Sequence, residues 1–224
     1  MTEFSFISQK NRVRYLRIIE PMGNLLARIG VHPHVLSVAG LILSIMAGLV
    51  YSTGTFFWAA WVVALAGTCD VLDGVLARRT NKNSTFGAFF DSALDRYSDG
   101  FILMGLAWYF AGGTILLESH EQDIVSFQSP WAVVCIIMAI AGSFMVSYTR
   151  ARAEALGLDC RVGLMQRPER LTLLIIGSLL GAIPAIGLIL IKSTLLVLAL
   201  LSNFTAIQRI IYVRNQLLEE NEVQ

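Results

Sequence analysis

Four aspartates punctuate an otherwise apolar stretch: Asp70, Asp73, Asp91 and Asp95. The chain reads D-V-L-D-G-V-L-A-R, then eight residues, then G-A-F-F-D-S-A-L-D. A carboxylate at membrane depth costs roughly 2.5–3.5 kcal/mol, so four unpaired ones would cost on the order of 10–14 kcal/mol, as much as the stability of a whole domain. Something must neutralise them. Asp70 and Asp73 are i,i+3 and Asp91 and Asp95 are i,i+4, so each pair falls on one face of its helix. Two facing helices would then offer four hard oxygen ligands to a divalent cation such as Mg²⁺ or Mn²⁺. Gly67, Asp70, Gly74 and Ala77 share a helical stripe with almost no side chain but the carboxylate, and Gly87 precedes Asp91 by one turn. Small residues let helices approach closely in a membrane. They also leave room beside a metal for a flat base and phosphates, whose oxygens the planar fork of Arg78 can reach.

The elements that position these residues are expected to be all-α. The chain of 224 residues is 55% hydrophobic, with mean hydropathy +0.65, which fits a polytopic membrane protein rather than a soluble domain. Six spans can be drawn, over 34–53, 56–77, 87–111, 130–150, 171–190 and 193–212, each near the ~20 residues needed to cross ~30 Å. Pro184, with Gly181 and Gly187 around it, threatens the fifth. Of 17 Lys and Arg, all but Arg96 and Lys192 lie in the N-terminal arm, the 78–82 loop, the 150–170 loop and the C-terminal end. The 112–129 loop holds Glu118, Glu121 and Asp123 but no basic residue. The positive-inside rule then expects both termini and the aspartates on the cytoplasmic side of the inner membrane. Residues 1–33 read as a cytoplasmic arm rather than a signal peptide. Val13, Leu16, Ile19, Met22, Leu26 and Ile29 suggest an interfacial amphipathic helix broken at Pro21. One six-helix domain, 34–214, and a polar tail, 215–224, frayed from Glu219 on, complete the expected division. Cys69, Cys135 and Cys160 have no metal-ligand spacing, and no disulfide is expected. No nucleic-acid partner is expected either, at a net charge of +1.

The aspartate stretch resembles the signature of the CDP-alcohol phosphatidyltransferase family, D-x-x-D-G-x-x-A-R-x8-G-x-x-x-D-x-x-x-D, at every fixed position: Asp70, Asp73, Gly74, Ala77, Arg78, Gly87, Asp91 and Asp95. The resemblance implies transfer of a phosphatidyl group from a CDP-linked lipid such as CDP-diacylglycerol to a small polar alcohol, with release of CMP. It implies metal binding by Asp70, Asp73 and Asp91, with Asp95 shared between metal contact and general base, and Asp91 beside it in the catalytic set. Asp70, Asp73, Gly74, Ala77, Arg78 and Gly87 would hold the CDP-lipid. Ser37, in P-H-V-L-S where family members often carry P-N-x-x-T, is either a nucleotide contact or a simple helix N-cap. A homodimer within membrane lipids is expected.

The acceptor is less plainly written. Arg150, Arg152, Arg167 and Arg170 cluster in 147–171, and Arg209 ends the last span. The S-Y-T-R-A-R-A-E and R-P-E-R segments look like those of the prokaryotic phosphatidylinositol-phosphate and archaetidylinositol-phosphate synthase subgroup. That resemblance implies inositol 1-phosphate as acceptor, with Arg150, Arg167 and Arg209, and Arg170 beside them, as phosphate ligands. Glycerol 3-phosphate and serine are the alternatives within the family. Arginines here also satisfy the positive-inside rule without binding anything, and Glu154 and Glu169 are available to pair with them. A divalent-cation transporter could use the same aspartates, but it would need polar residues along a path open to both sides. The outer halves of these spans are nearly free of charge.

Overall fold

A computed structural model describes residues 9–80, 84–113 and 128–223, with side chains over 14–80, 84–113 and 128–219. Lys82, Glu118, His120, Glu121 and Asp123 lie outside the described residues. The described chain is all-helical: α1 (Gln9–Ile29), α2 (Pro33–Ser52), α3 (Phe56–Arg79), α4 (Thr85–Phe110), α5 (Pro130–Ala155), α6 (Arg167–Gly181) and α7 (Gly187–Val223). Helix starts follow local chemistry. Pro33 and Pro130 open α2 and α5, and Pro168 stands in the first turn of α6, where a missing N–H costs nothing. Ser84 caps α4, its Oγ accepting from Gly87 N at 2.9 Å.

Four helices are long and apolar enough to cross a membrane: α2, α3, α5 and Gly187–Glu219 of α7. The chain is an integral membrane protein. α4 is a helix over the third expected span, but Asp91, Asp95, Arg96 and Asp99 charge its first fifteen residues. The fifth expected span is not continuous. α6 stops at Gly181 and α7 starts at Gly187, because Pro184 cannot donate into a helix and Ala185 takes a left-handed φ of 69°. α7 continues through the expected tail segment to Val223.

Pro21 does not break α1, which runs unbroken through it. Pro21 is exposed, so the carbonyl its ring deprives of a partner can be solvated. The buried side of α1 also differs from the expected stripe. Ile19 and Gly23 face α3, where a side chain at Gly23 would meet Val75, while Ile18, Met22, Leu25 and Ile29 form an exposed apolar line. Tyr15 Oη bonds Thr68 Oγ1 at 2.9 Å, and Arg79 pairs with Glu20.

α2 packs on α3 and α4, α3 on α6, and α5 on α7. The apolar core fills the half of the bundle remote from the aspartates: Tyr51, Phe56, Val63, Leu106, Phe110, Ile136, Ile191 and Leu195. α2 and α4 touch backbone to backbone. A side chain at Gly105 would run into the Gly48 carbonyl, and one at Gly48 into that of Phe101. This contact brings the first halves of both helices into one layer, where Ser37 and the α4 carboxylates meet. Gly105→Val should therefore destabilise the protein by ~1–3 kcal/mol or more through overpacking, read as a lower unfolding temperature in detergent. Gly100→Ala, whose methyl would sit 3.9 Å from Phe144 Cζ, should leave that temperature unchanged. Equal behaviour of the two variants would refute the close contact.

Candidate active site

α3 and α4 bring three of the four expected aspartates together. Asp70, Asp91 and Asp95 each offer an oxygen within 4.8 Å of the others. Asp73 turns away from the group. It is buried, accepts from Ser37 Oγ at 2.7 Å, and stays within hydrogen-bond reach of Asp91. Helical rotation explains the split. Three residues at about 100° each fall ~60° short of a full turn, whereas four overshoot by ~40°. Asp73 is thus swung toward α2, while Asp91 and Asp95 stay in line.

Ser37 consequently has a different job from helix capping. His32 is the N-cap of α2, its Nδ1 accepting from His34 N at 3.4 Å. Ser37 lies in the second turn, buried, and joins α2 to Asp73. The other motif residues surround the cluster. Arg78 folds back along α3, so that a side chain at Gly74 would come within 3.5 Å of its guanidinium. Ala77 is half-buried in the turn between them. A side chain at Gly87 would meet His34 at 3.2 Å, and His34 stacks edge-on against Phe86 and Phe90.

Charge compensation comes from α6. Arg167 Nη1 lies 2.6 Å from Asp70 Oδ1 and 2.6 Å from Asp95 Oδ1, and its Nε lies 3.6 Å from Asp99 Oδ1. Neither short contact is a well-directed hydrogen bond, and Nη1 has no such partner among the described residues. Arg170 Nη2 donates to Asp99 Oδ2 at 2.7 Å, and its Nη1 reaches Met165 O at 3.4 Å. Asp99 was not singled out by the motif. The four-residue period Asp91–Asp95–Asp99 was the available signal. The cavity among Ser37, Gly40, Asp70, Asp91, Asp95 and Arg167 measures ≈ 10 Å³, the room of one water or small ion. A larger cavity of ≈ 470 Å³ opens at the opposite end, between Phe56, Tyr109 and the 181–188 turn, and no charged side chain lines it.

The remaining expected acceptor arginines are placed less uniformly. Arg150 is exposed and donates from Nε to Glu154 Oε1 at 2.8 Å. Arg209 is buried and structural in part: its Nε donates to Val162 O at 2.8 Å and its Nη1 to Val146 O. Those bonds tie the 156–166 loop to α5 and α7, with Met165 N donating to Thr205 Oγ1 at 3.1 Å. Arg150 and Arg170 lie within electrostatic reach of Arg209. Cys160 is buried under this loop, and burial pushes its thiol pKa up, which keeps it protonated and inert.

Carboxylate oxygens of this kind suit Mg²⁺ or Mn²⁺. Arg167 Nη1, held between two carboxylates by charge rather than by directed bonds, marks where positive charge belongs.

Residues 30–211 match the family model of CDP-alcohol phosphatidyltransferases. Among curated proteins, the archaetidylinositol phosphate synthase of Methanothermobacter thermautotrophicus is 37% identical over 202 residues, covering 90% of this chain and 91% of that protein. The phosphatidylinositol phosphate synthase of Mycolicibacterium smegmatis is 33% identical, covering 91% and 86%. Among solved structures, the Mycobacterium tuberculosis phosphatidylinositol phosphate synthase with CDP-DAG bound superposes with a TM-score of 0.75 at 31% identity, covering 88% of this chain and 94% of that one. The same enzyme in complex with manganese and citrate gives 0.74 at 30%, covering 86% and 87%.

Ser37→Ala should cost ~1.5–3 kcal/mol, the value of a hydrogen bond to a charged group, read as thermal unfolding of the detergent-solubilised protein. Ser37→Thr, which keeps the hydroxyl, should recover most of it. No loss in the alanine variant would mean that Asp73 is held by other contacts.

Proposed function

Because the chain belongs to the CDP-alcohol phosphatidyltransferase family, we propose that it transfers the phosphatidyl group of a CDP-diacylglycerol-type lipid to inositol 1-phosphate and releases CMP, with Mg²⁺ or Mn²⁺ as cofactor. The observation that carries the acceptor assignment is the position of Arg167, a guanidinium from the R-P-E-R segment in direct contact with Asp70 and Asp95. An anion-binding arginine so close to the carboxylates brings an acceptor phosphate next to the reacting centre. Serine or a neutral polyol has no use for it. The similarity to the two synthases named above supports the same acceptor.

Asp70, Asp91 and Asp95 would hold the cation, with Asp73 completing the set from its bond to Ser37. When bound, the cation neutralises phosphate oxygens and the charge growing on the leaving phosphate. The chain's own residues do the rest. Asp95 takes the proton of the acceptor hydroxyl as its oxygen attacks the lipid-bearing phosphorus. The bond from that phosphorus to the CMP oxygen breaks, and CMP leaves. Asp91, one turn away on the same face, keeps Asp95 beside the cation site. Gly74, Ala77 and Gly87 leave space for the nucleotide, Arg78 contacts its phosphates, and Ser37 fixes Asp73. Arg150, Arg167, Arg170 and Arg209 supply the positive side on which the acceptor phosphate is held.

The same reading includes six membrane crossings, with α4 and the α6 segment joining the four apolar helices. α4 is long enough, and its Asp95 and Asp99 are paired with Arg167 and Arg170 of α6. α1 lies on the cytoplasmic surface, its exposed Ile18, Met22, Leu25 and Ile29 entering the headgroup region. Both termini and the aspartates are cytoplasmic, residues 1–33, 34–214 and 215–224 form arm, catalytic domain and tail, and two copies associate as a homodimer.

The decisive assay is CMP release by purified protein with CDP-diacylglycerol and Mg²⁺, challenged separately with inositol 1-phosphate, glycerol 3-phosphate, serine and inositol. Inositol 1-phosphate should be fastest. Asp70→Asn or Asp91→Asn should abolish release, and a chelator should do so reversibly. Arg150→Gln should raise the acceptor KM on the order of 10- to 150-fold, the equivalent of ~1.5–3 kcal/mol, with the donor KM little changed. Faster release with serine or free inositol refutes the acceptor. Topology is checked in a cysteine-free background with a membrane-impermeant thiol reagent. Glu121→Cys should label from outside intact cells and Asp159→Cys only after lysis. The reverse pattern would invert the orientation.

A further inference from the structure

Asp99 has no part in the motif, yet it is one of the most completely engaged carboxylates of the described chain. It is 8% exposed, accepts from Arg170 Nη2 at 2.7 Å and faces Arg167 Nε at 3.6 Å. It also stands one helical turn beyond Asp95 on α4, so Arg167 lies between two sources of negative charge. On one side are Asp70 and Asp95, each 2.6 Å from Nη1. On the other is Asp99. Those first two carboxylates are also two of the three that would hold a divalent cation. A guanidinium and a cation compete for the same oxygens, because Nη1 already lies 2.6 Å from Asp70 Oδ1 and from Asp95 Oδ1, and like charges at such separations repel strongly in a buried site.

We propose that Asp99 is a positioning residue for Arg167: it retains the guanidinium beside the site when a divalent cation takes Asp70 and Asp95, so that Arg167 alternates between neutralising the carboxylates and facing the acceptor. The idea rests on the reading of the site given above. It adds the account of where Arg167 goes. The metal-free carboxylates need a counter-charge, since a buried, unpaired charge is strongly destabilising. Arg167 supplies it through Nη1, 2.6 Å from both Asp70 and Asp95, the oxygens that a cation would claim in its place. Arg170 cannot take this part. It is 5% exposed, and its two terminal nitrogens are engaged by Asp99 and the Met165 carbonyl. Asp99 therefore has one fixed partner and one mobile one. Its spare oxygen, Oδ1, already points to the mobile one.

The test measures Mn²⁺ binding to full-length, detergent-solubilised protein without lipid donor or acceptor, by the electron paramagnetic resonance signal of free Mn²⁺. Arg167→Gln removes the competing charge. It should bind Mn²⁺ on the order of tenfold more tightly, a change of about 1.4 kcal/mol, and its metal-free form should unfold at a lower temperature than wild type. Asp99→Asn leaves Arg167 with only Asp70 and Asp95, and should weaken Mn²⁺ binding by a similar factor. The double variant should bind Mn²⁺ like Arg167→Gln alone, because the effect of Asp99 runs through Arg167. If Asp99→Asn fails to fold, comparing Arg167→Gln with the double variant still decides. Weaker binding in the double variant means Asp99 acts by its own charge or by general packing, and the proposal falls. Unchanged affinity in Arg167→Gln, alongside loss of binding in Asp91→Asn, overturns it while leaving the metal site intact. Absence of Mn²⁺ binding in both wild type and Arg167→Gln overturns the proposal together with the cofactor assignment.

Discussion

Carboxylates placed inside an apolar helical bundle have to be neutralised, and the arrangement of this protein follows from how that is done. Asp70, Asp91, Asp95 and Asp99 carry more negative charge than the interior can hold unpaired. The compensation arrives from a helix that starts inside the bundle. α6 begins at Arg167, at the level of the aspartates, and delivers Arg167 and Arg170 within its first turn. Its fifteen residues amount to about 22 Å at 1.5 Å per residue. Its start is set at the level of the aspartates and its end by the turn at Pro184 and Ala185. The loop before it, 156–166, is pinned by Arg209, Thr205 and the buried Cys160 region so that this start is fixed.

The division of the bundle into two halves has the same origin. The half containing Tyr51, Phe56, Phe110, Ile136 and Ile191 is apolar and closely packed, and supplies stability through burial. The other half contains the carboxylates, Ser37 and the arginines, with a smaller apolar cluster around Ala153, Leu158 and Cys160. The polar half depends on hydrogen bonds and ion pairs, and on the apolar half to hold its helices in register.

Much of this was legible from residue spacing. The i,i+4 pair Asp91–Asp95 predicted a shared face, and the structure brings them together with Asp70. The i,i+3 pair was read too generously, since the shorter spacing rotates Asp73 toward Ser37. The helices over 34–53, 56–77 and 130–150 follow from apolar length alone. The break near Pro184 was signalled by Gly181 and Gly187, although the fifth span was drawn through it, over 171–190. What spacing cannot show is which distant side chain meets which. Arg167, Arg150 and Arg209 looked equivalent in sequence. Only the packing of α6 against α3 puts the first among the carboxylates, leaves the second exposed beside Glu154 and commits two nitrogens of the third to carbonyls. Pro21 misled for a related reason, because its cost depends on whether the orphaned carbonyl is exposed.

At Gly48 and Gly105 the backbones of α2 and α4 meet with no side chain between them. Two helices joined in this way cannot slide or rock against each other without a clash, so Ser37 and the three α4 carboxylates move as one body. Rearrangement at this site then falls to side chains of α6, above all Arg167. Side-chain rotation belongs to picoseconds to nanoseconds where it is unhindered, and helix displacement to microseconds or longer. A site built on this pair has side-chain rotation as its fast adjustment, on a clock far shorter than that of helix displacement.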